Sequence, residues 1–163
     1  MKPIPKAGLT LAILVEIWTY FIGFSGWYKD PVLQAAFWAV FLIEIGVLVW
    51  GLRMTAREGR GYWAQVGAGT LMSVIAAVVV FVGSYLFTEV VFPNYFSELN
   101  ETYRQTLEQQ GTAREQIEAQ IAALVPKQNS FASASLGAIS TVATGFFASL
   151  VIAAFVRKRP TEG

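Results

Sequence analysis

Hydrophobic residues in this chain fall into four long runs, not into the short periodic stripes of a soluble domain. The first extends from about Ala7 to Trp27 and is broken only by Thr10, Glu16, Thr19 and Ser25. The second covers about 32–52, with Gln34 and Glu44 as its polar members. The third, 62–92, is longer than one bilayer crossing needs and should tilt or project past the membrane surface. The fourth covers about 133–156 and stops at Arg157-Lys158-Arg159. At 1.5 Å of rise per residue, about 20 helical residues cross the hydrocarbon, so each run is long enough to span it. Without a closed barrel, only helices satisfy the backbone in hydrocarbon, and these runs lack the alternation of barrel strands. The pattern therefore predicts an all-α fold, an integral membrane four-helix bundle, as a single membrane domain over 1–163. Lys29-Asp30-Pro31 reads as a tight turn between the first two spans, and RMTAREGRG (53–61) as a short basic loop between the next two.

One stretch breaks the pattern. Residues 93–126 lie between the third and fourth spans and are rich in Gln and Glu. Pro93 can end one helix and begin the next, because a first helical turn leaves its N–H groups unbonded anyway. Phe96, Leu99, Tyr103 and Leu107 recur at helical spacing, and Arg104 with Glu108 makes a weak pair one turn apart. Gly111 provides a stop. Thr112 with Glu115 gives the T-x-x-E pattern of a capping box, and Ile117, Ile121, Leu124 and Val125 line a second helix ending at Pro126. The expectation is an extramembrane amphipathic helical hairpin between spans three and four. It serves either as a structural cap over the bundle or as a docking surface for a membrane or periplasmic protein.

Composition narrows the chemistry. Of 163 residues, 55% are hydrophobic and only 14% charged, against the quarter or so that coats a soluble globule. The absence of Cys and His rules out disulfides, Cys/His zinc sites, His-ligated haem and Ser-His or Cys-His nucleophiles. A net charge of +1 offers no general attraction for nucleic acid, and none is expected as a partner. No phosphate-cradling glycine loop, dinucleotide fingerprint or metal-ligand cluster is present, so no cofactor is expected. MKPIPK resembles a signal peptide's charged start, but the apolar run after it is too long and has no small-residue cleavage site, so it reads as a retained span.

Lys and Arg set the expected orientation. Lys2, Lys6, Arg53, Arg57, Arg60, Arg157, Lys158 and Arg159 make up eight of the twelve basic residues, and four spans place them all on one side. Lys29, Arg104, Arg114 and Lys127 fall on the other, diluted by acids. Both termini should therefore be cytoplasmic. Trp27, Tyr28, Trp50, Tyr62 and Trp63 fall near the expected span ends, as interfacial aromatics do.

Inside the spans, Glu16 and Glu44 stand out, since a charge at mid-membrane costs about 2.5–3.5 kcal/mol on insertion scales. Glu16 lies ten residues after Lys6 and Glu44 nine before Arg53, which puts both at similar depth on consecutive antiparallel helices. The two carboxyls can be protonated, can share a proton, or can hold a cation between them. Alternatively, they are neutral hydrogen-bonding glue between helices. Thr19, Tyr20, Thr70, Ser73 and Ser149 are the candidate supporting polar groups. Small residues recur every fourth position at Ser133, Gly137, Thr141, Gly145, Ser149 and Ala153, and again at Gly69, Ser73 and Ala77. Such stripes allow close helix approach, either between spans three and four or between two copies of the chain in a homo-oligomer.

Three segments also resemble a family of small bacterial four-span membrane proteins defined only as a domain of unknown function. REGRGYWAQVGAG looks like its basic-then-glycine entry into span three, VFPNYFSELNE like its Pro-aromatic exit, and EQQGTAREQIEAQIAAL like its Glu/Gln hairpin around a glycine. The similarity extends over roughly Ala7 to Val156. It implies a topology and a bacterial inner-membrane setting, and carries no catalytic residues. Two functions are compatible with this reading. One is a non-enzymatic accessory or interaction subunit. The other is a proton- or cation-coupled carrier or channel built on Glu16 and Glu44.

Overall fold

The computed structural model describes residues 2–30 and 32–156. Pro31 of the expected turn, and the basic run Arg157, Lys158 and Arg159, lie outside the described residues. Every described element is helical. Four long apolar helices are joined by short connections, and a shorter helical pair stands between the third and fourth.

Helix α1 (Pro3–Ser25) starts four residues before Ala7, because its prolines fall in the first turn, where a missing N–H costs nothing. It ends at Gly26, whose φ of 73° is left-handed and which donates its N–H to Gly23 O. The chain then makes a 3-10 turn (Trp27–Lys29), and a second 3-10 segment (Leu33–Trp38) leads into α2 (Ala39–Ala56). The Asp30 carboxylate accepts the Val32 and Leu33 N–H groups at 2.8 and 3.1 Å. The Trp18 indole donates to Ala36 O at 3.1 Å and latches this segment to α1. The second span thus begins in 3-10 geometry, a detail that apolar character alone does not reveal.

Helix α3 (Tyr62–Leu86) runs on into a π-helical turn (Phe87–Val91), closed by the Phe92 N–H on Phe87 O at 2.8 Å. After the paired helices α4 (Tyr95–Gln109) and α5 (Arg114–Leu124), α6 (Ser130–Val156) returns through the bundle. Asn129 starts it by accepting the Ala132 N–H at 2.7 Å.

The third span is the hub, packing on α1, α2 and α6. Leu11, Leu48, Leu52, Met72 and Ala76 are fully buried around it. Against α6 the packing is reciprocal: Ser149 lies on Gly69, and Ser73 lies on Gly145. A β-carbon on either glycine would overlap the serine opposite, so the backbones approach as closely as they do because both glycines are bare. The small-residue stripes anticipated for these spans are therefore used within one chain at this level. Beside this contact, α3 and α6 border an apolar side groove of about 800 Å³, lined by Val74, Phe81, Ile139, Val142 and Phe146 among others.

The outside of the bundle is as apolar as its inside. Ile17 is 61% exposed, Leu42 73% and Phe155 84%, on helices long enough to cross a membrane. In water such a surface would be heavily penalised at about 25 cal/mol per Å². Against hydrocarbon it is matched, so this is a multi-pass membrane protein in contact with the lipid bilayer.

The close α3–α6 approach is testable by thermal unfolding in detergent. Gly145→Ala and Gly69→Ala should each destabilise by about 1–3 kcal/mol, the usual range for overpacking. Gly137→Ala, whose added carbon would meet nothing within 4 Å, should leave the midpoint in place.

Candidate functional site

The bundle holds its two acids in different surroundings. Glu44 lies at a three-helix junction and is 4% exposed. The Ser73 hydroxyl of α3 donates to Glu44 Oε1 at 3.4 Å, a long and weak bond. Gly145 of α6 leaves the room for this contact, since a β-carbon there would come within 3.2 Å of the same oxygen.

Glu16 lies between α1 and α3, with its carboxyl seated directly on Gly83. Both of its oxygens are enclosed, and neither has a hydrogen-bond partner. One turn further on, the Tyr20 hydroxyl donates to Gly83 O at 3.3 Å. Tyr20 and Phe87 then stack edge to face, with ring centres 5.2 Å apart, and Phe87 in turn packs on Phe92 and Tyr95. This aromatic cluster separates the carboxyl from the hairpin end.

The two acids do not meet. Their seats on α3, Ser73 and Gly83, are ten residues apart, about 15 Å of helix rise. They also lie on different faces of that helix, at roughly 100° per residue. The similar depth inferred from Lys6 and Arg53 is not reflected in these separate seats on α3.

The supporting groups divide accordingly. Ser73 joins Glu44, and Tyr20 joins the Glu16 seat. Thr19 is half-buried and makes no bond to Glu16. Thr70 returns its hydroxyl to Val66 O at 2.9 Å and borders the side groove. Ser149 is fully buried on Gly69, away from both acids, and its oxygen has no hydrogen-bond partner. Sequence reasoning missed Gly83 and a buried pair, Thr55 and Gln65. There the Thr55 hydroxyl donates to Gln65 Oε1 at 2.6 Å, and the Gln65 amide nitrogen is left unbonded. Gln65 is the lone polar residue in the first turn of α3, whereas Thr55 lay inside the segment read as a basic loop, which α2 covers up to Ala56.

The hairpin forms around Gly111, whose φ is 76°. Leu107, Ile117 and Ile121 make a small core of their own. Arg104 pairs across the hairpin with Glu118, not along its own helix with Glu108, because the turn brings α5 alongside. Asn100 and Gln128 exchange amide bonds at 2.7 and 2.9 Å, and Tyr103 donates to Gln120 at 2.9 Å. The Thr112–Glu115 capping box does not form. Ala113 is extended (φ −62°, ψ 137°) and takes the cap position without a side-chain bond, so the helix begins one residue too late for that pairing. Pro93 likewise precedes the helix without starting it, since α4 begins at Tyr95.

Glu98 anchors the hairpin to the bundle. It accepts the Tyr28 hydroxyl in a short bond and pairs with Lys29 Nζ at 2.9 Å. The Tyr28 hydrogen bond, reinforced by Lys29, holds the Glu98 carboxyl below the usual carboxylate range, and the same contact raises Lys29. A lowered carboxyl contributes its stabilisation above its unfolded value and loses it as pH falls through the folded one. Limited proteolysis of the hairpin should therefore accelerate on acidification through and below the ordinary carboxylate range. Glu98→Gln should be cut faster at neutral pH and lose part of that pH dependence, the remainder staying with Glu118, whose carboxyl the Arg104 hydrogen bond also lowers.

No curated protein and no solved structure matches the chain. Residues 6–158 match the family described as "Protein of unknown function (DUF4199)". With nearly its whole length covered, and with the four spans and intervening hairpin described above, the chain belongs to the DUF4199 family.

Proposed function

We propose that this chain is a non-enzymatic accessory subunit of a bacterial inner membrane, and that its hairpin docks a protein partner on the periplasmic side. The observation that carries this reading is the lie of α5. It is buried only along Ile117 and Ile121, against α4, and the remainder of the helix is half-buried or exposed. A cap would be buried against the span ends, whereas α5 packs chiefly on α4 and on the 3-10 turn after it (Val125–Lys127). Gln116, Ala119 and Ala123 lie on its open side at helical spacing and form a neutral face. Such a face suits a second helix laid alongside it.

The orientation follows the basic residues. Lys2, Pro3 and Pro5 border one cleft with Glu58 and Arg60, so the N-terminal segment and the Arg-rich turn share one end of the bundle. That end is assigned to the cytoplasm. A carrier that works through a shared pair of acids draws no support from this geometry, because each carboxyl has its own seat.

The chain has no cysteine, so single introduced thiols report topology cleanly. In intact spheroplasts, Gln116→Cys should react with an impermeant maleimide, and Arg57→Cys only after lysis. The reverse pattern would invert the orientation. A photo-crosslinking residue at Ala119 should give one discrete adduct with another membrane or periplasmic protein in cells. That adduct should disappear in a Gln116→Arg, Ala123→Arg variant that still inserts. If exposed α5 positions yield only the uncrosslinked chain, the docking reading is wrong.

A further inference from the structure

We infer that Glu16 is a proton-binding site: a neutral carboxyl carried against Gly83, whose bound proton fastens α1 to α3. The inference is independent of the hairpin. A carboxyl with both oxygens enclosed and no partner is costly if it is ionised. Among the described residues, no hydrogen bond offsets a charge on it. Tyr20 of α1 lies against the same glycine. Phe87 and Val80 of the third span are buried, and its Tyr85 is exposed. The acid of α2, Glu44, sits on Ser73, away from this seat. No Lys or Arg occurs between Arg60 and Arg104 in the sequence, or between Lys6 and Lys29.

The same geometry selects a proton over a metal cation. Gly83 O already accepts two donors, the Phe87 N–H and the Tyr20 hydroxyl. That leaves the two carboxyl oxygens and the Tyr20 oxygen, whereas hard cations take about six oxygen ligands. Tyr20 donates its own hydrogen to Gly83 O and makes no hydrogen bond to the carboxyl. Gly83 is part of the site because any side chain there would occupy the carboxyl's position. Four residues on, the helix widens into the π turn at Phe87–Val91, a feature often found at functional sites. The closing Phe87 packs on Tyr20 and lies against Gly23 of α1. Loss of the proton would leave a bare charge on the α1–α3 seam and favour its opening.

The test treats the full chain in liposomes with dicyclohexylcarbodiimide, which reacts with neutral membrane carboxyls. The carboxyl proton moves to a carbodiimide nitrogen, the carboxyl oxygen bonds to the central carbon, and an O-to-N acyl shift leaves a stable adduct with no leaving group. Mass spectrometry should place an adduct on Glu16, resolved from any on Glu44, the other buried acid of the bundle. Labelling should fall about tenfold per pH unit above the site's midpoint, as the neutral fraction does. Sodium or potassium at constant pH should not protect. Infrared difference spectra give a readout that needs no labelling. The protonated-carboxyl intensity should fall in Glu16→Gln, and the Glu16 component should weaken or shift in Gly83→Ala. Labelling that ignores pH, protection by sodium or potassium, or a carboxyl band unchanged in Glu16→Gln would overturn the proposal.

Discussion

Hydrocarbon supplies no hydrogen bonds, so every polar group carried into this bundle either finds a partner inside it or goes without. That constraint organises the structure. It makes the four spans helical, and it sends threonine hydroxyls back to their own backbone, as Thr70 does to Val66 and Thr141 to Gly137. It brings Thr55 onto Gln65, and Ser73 onto Glu44. Association between helices in lipid draws little on the hydrophobic effect and relies on close packing. The bare glycines at 69 and 145 allow that packing, and each accepts the serine of the opposite helix.

Against this background the two acids are not equivalent. Glu44 is held at the meeting of three helices by a serine and a glycine, an arrangement that suits interhelical glue. Glu16 has an equally close seat on Gly83 but no donor, and its wall on the hairpin side is aromatic. The second arrangement satisfies shape without satisfying polarity. In a membrane span, a group left in that state marks a place where the protein tolerates a cost for some other gain.

Much of the fold was legible in the sequence because run length and charge placement depend on local composition. The four spans and the turn at Gly111 belong to that class; the small-residue stripes were visible too, but not whether they join the third and fourth spans or two copies of the chain. What was not legible depends on how elements meet. Residue counting put the two acids level, yet they sit against positions of α3 ten residues apart. The extended backbone of Ala113 cancelled a capping box with the right letters in the right order. Arg104 pairs with Glu118 across the hairpin and with Glu101 on its own helix, not with the Glu108 that spacing suggested, because the turn brings α5 alongside. Gly83 had no signature of its own; only the carboxyl laid against it shows why it is a glycine.

The hairpin obeys a different solvent. Its helices are short, polar and held by ion pairs and amide bonds that water would screen or replace, and its own core is three residues. The division between a hydrocarbon-solvated bundle and a water-solvated hairpin is therefore the central claim. Hydrogen–deuterium exchange of the full chain in lipid nanodiscs tests it most directly. Amides within Leu11–Ile22, Ile43–Leu52, Val66–Val82 and Leu136–Ile152 should stay protected for hours, while those of α4 and α5 exchange within minutes. Protection of α4 and α5 equal to that of the spans, or rapid exchange through any of the four, would contradict it.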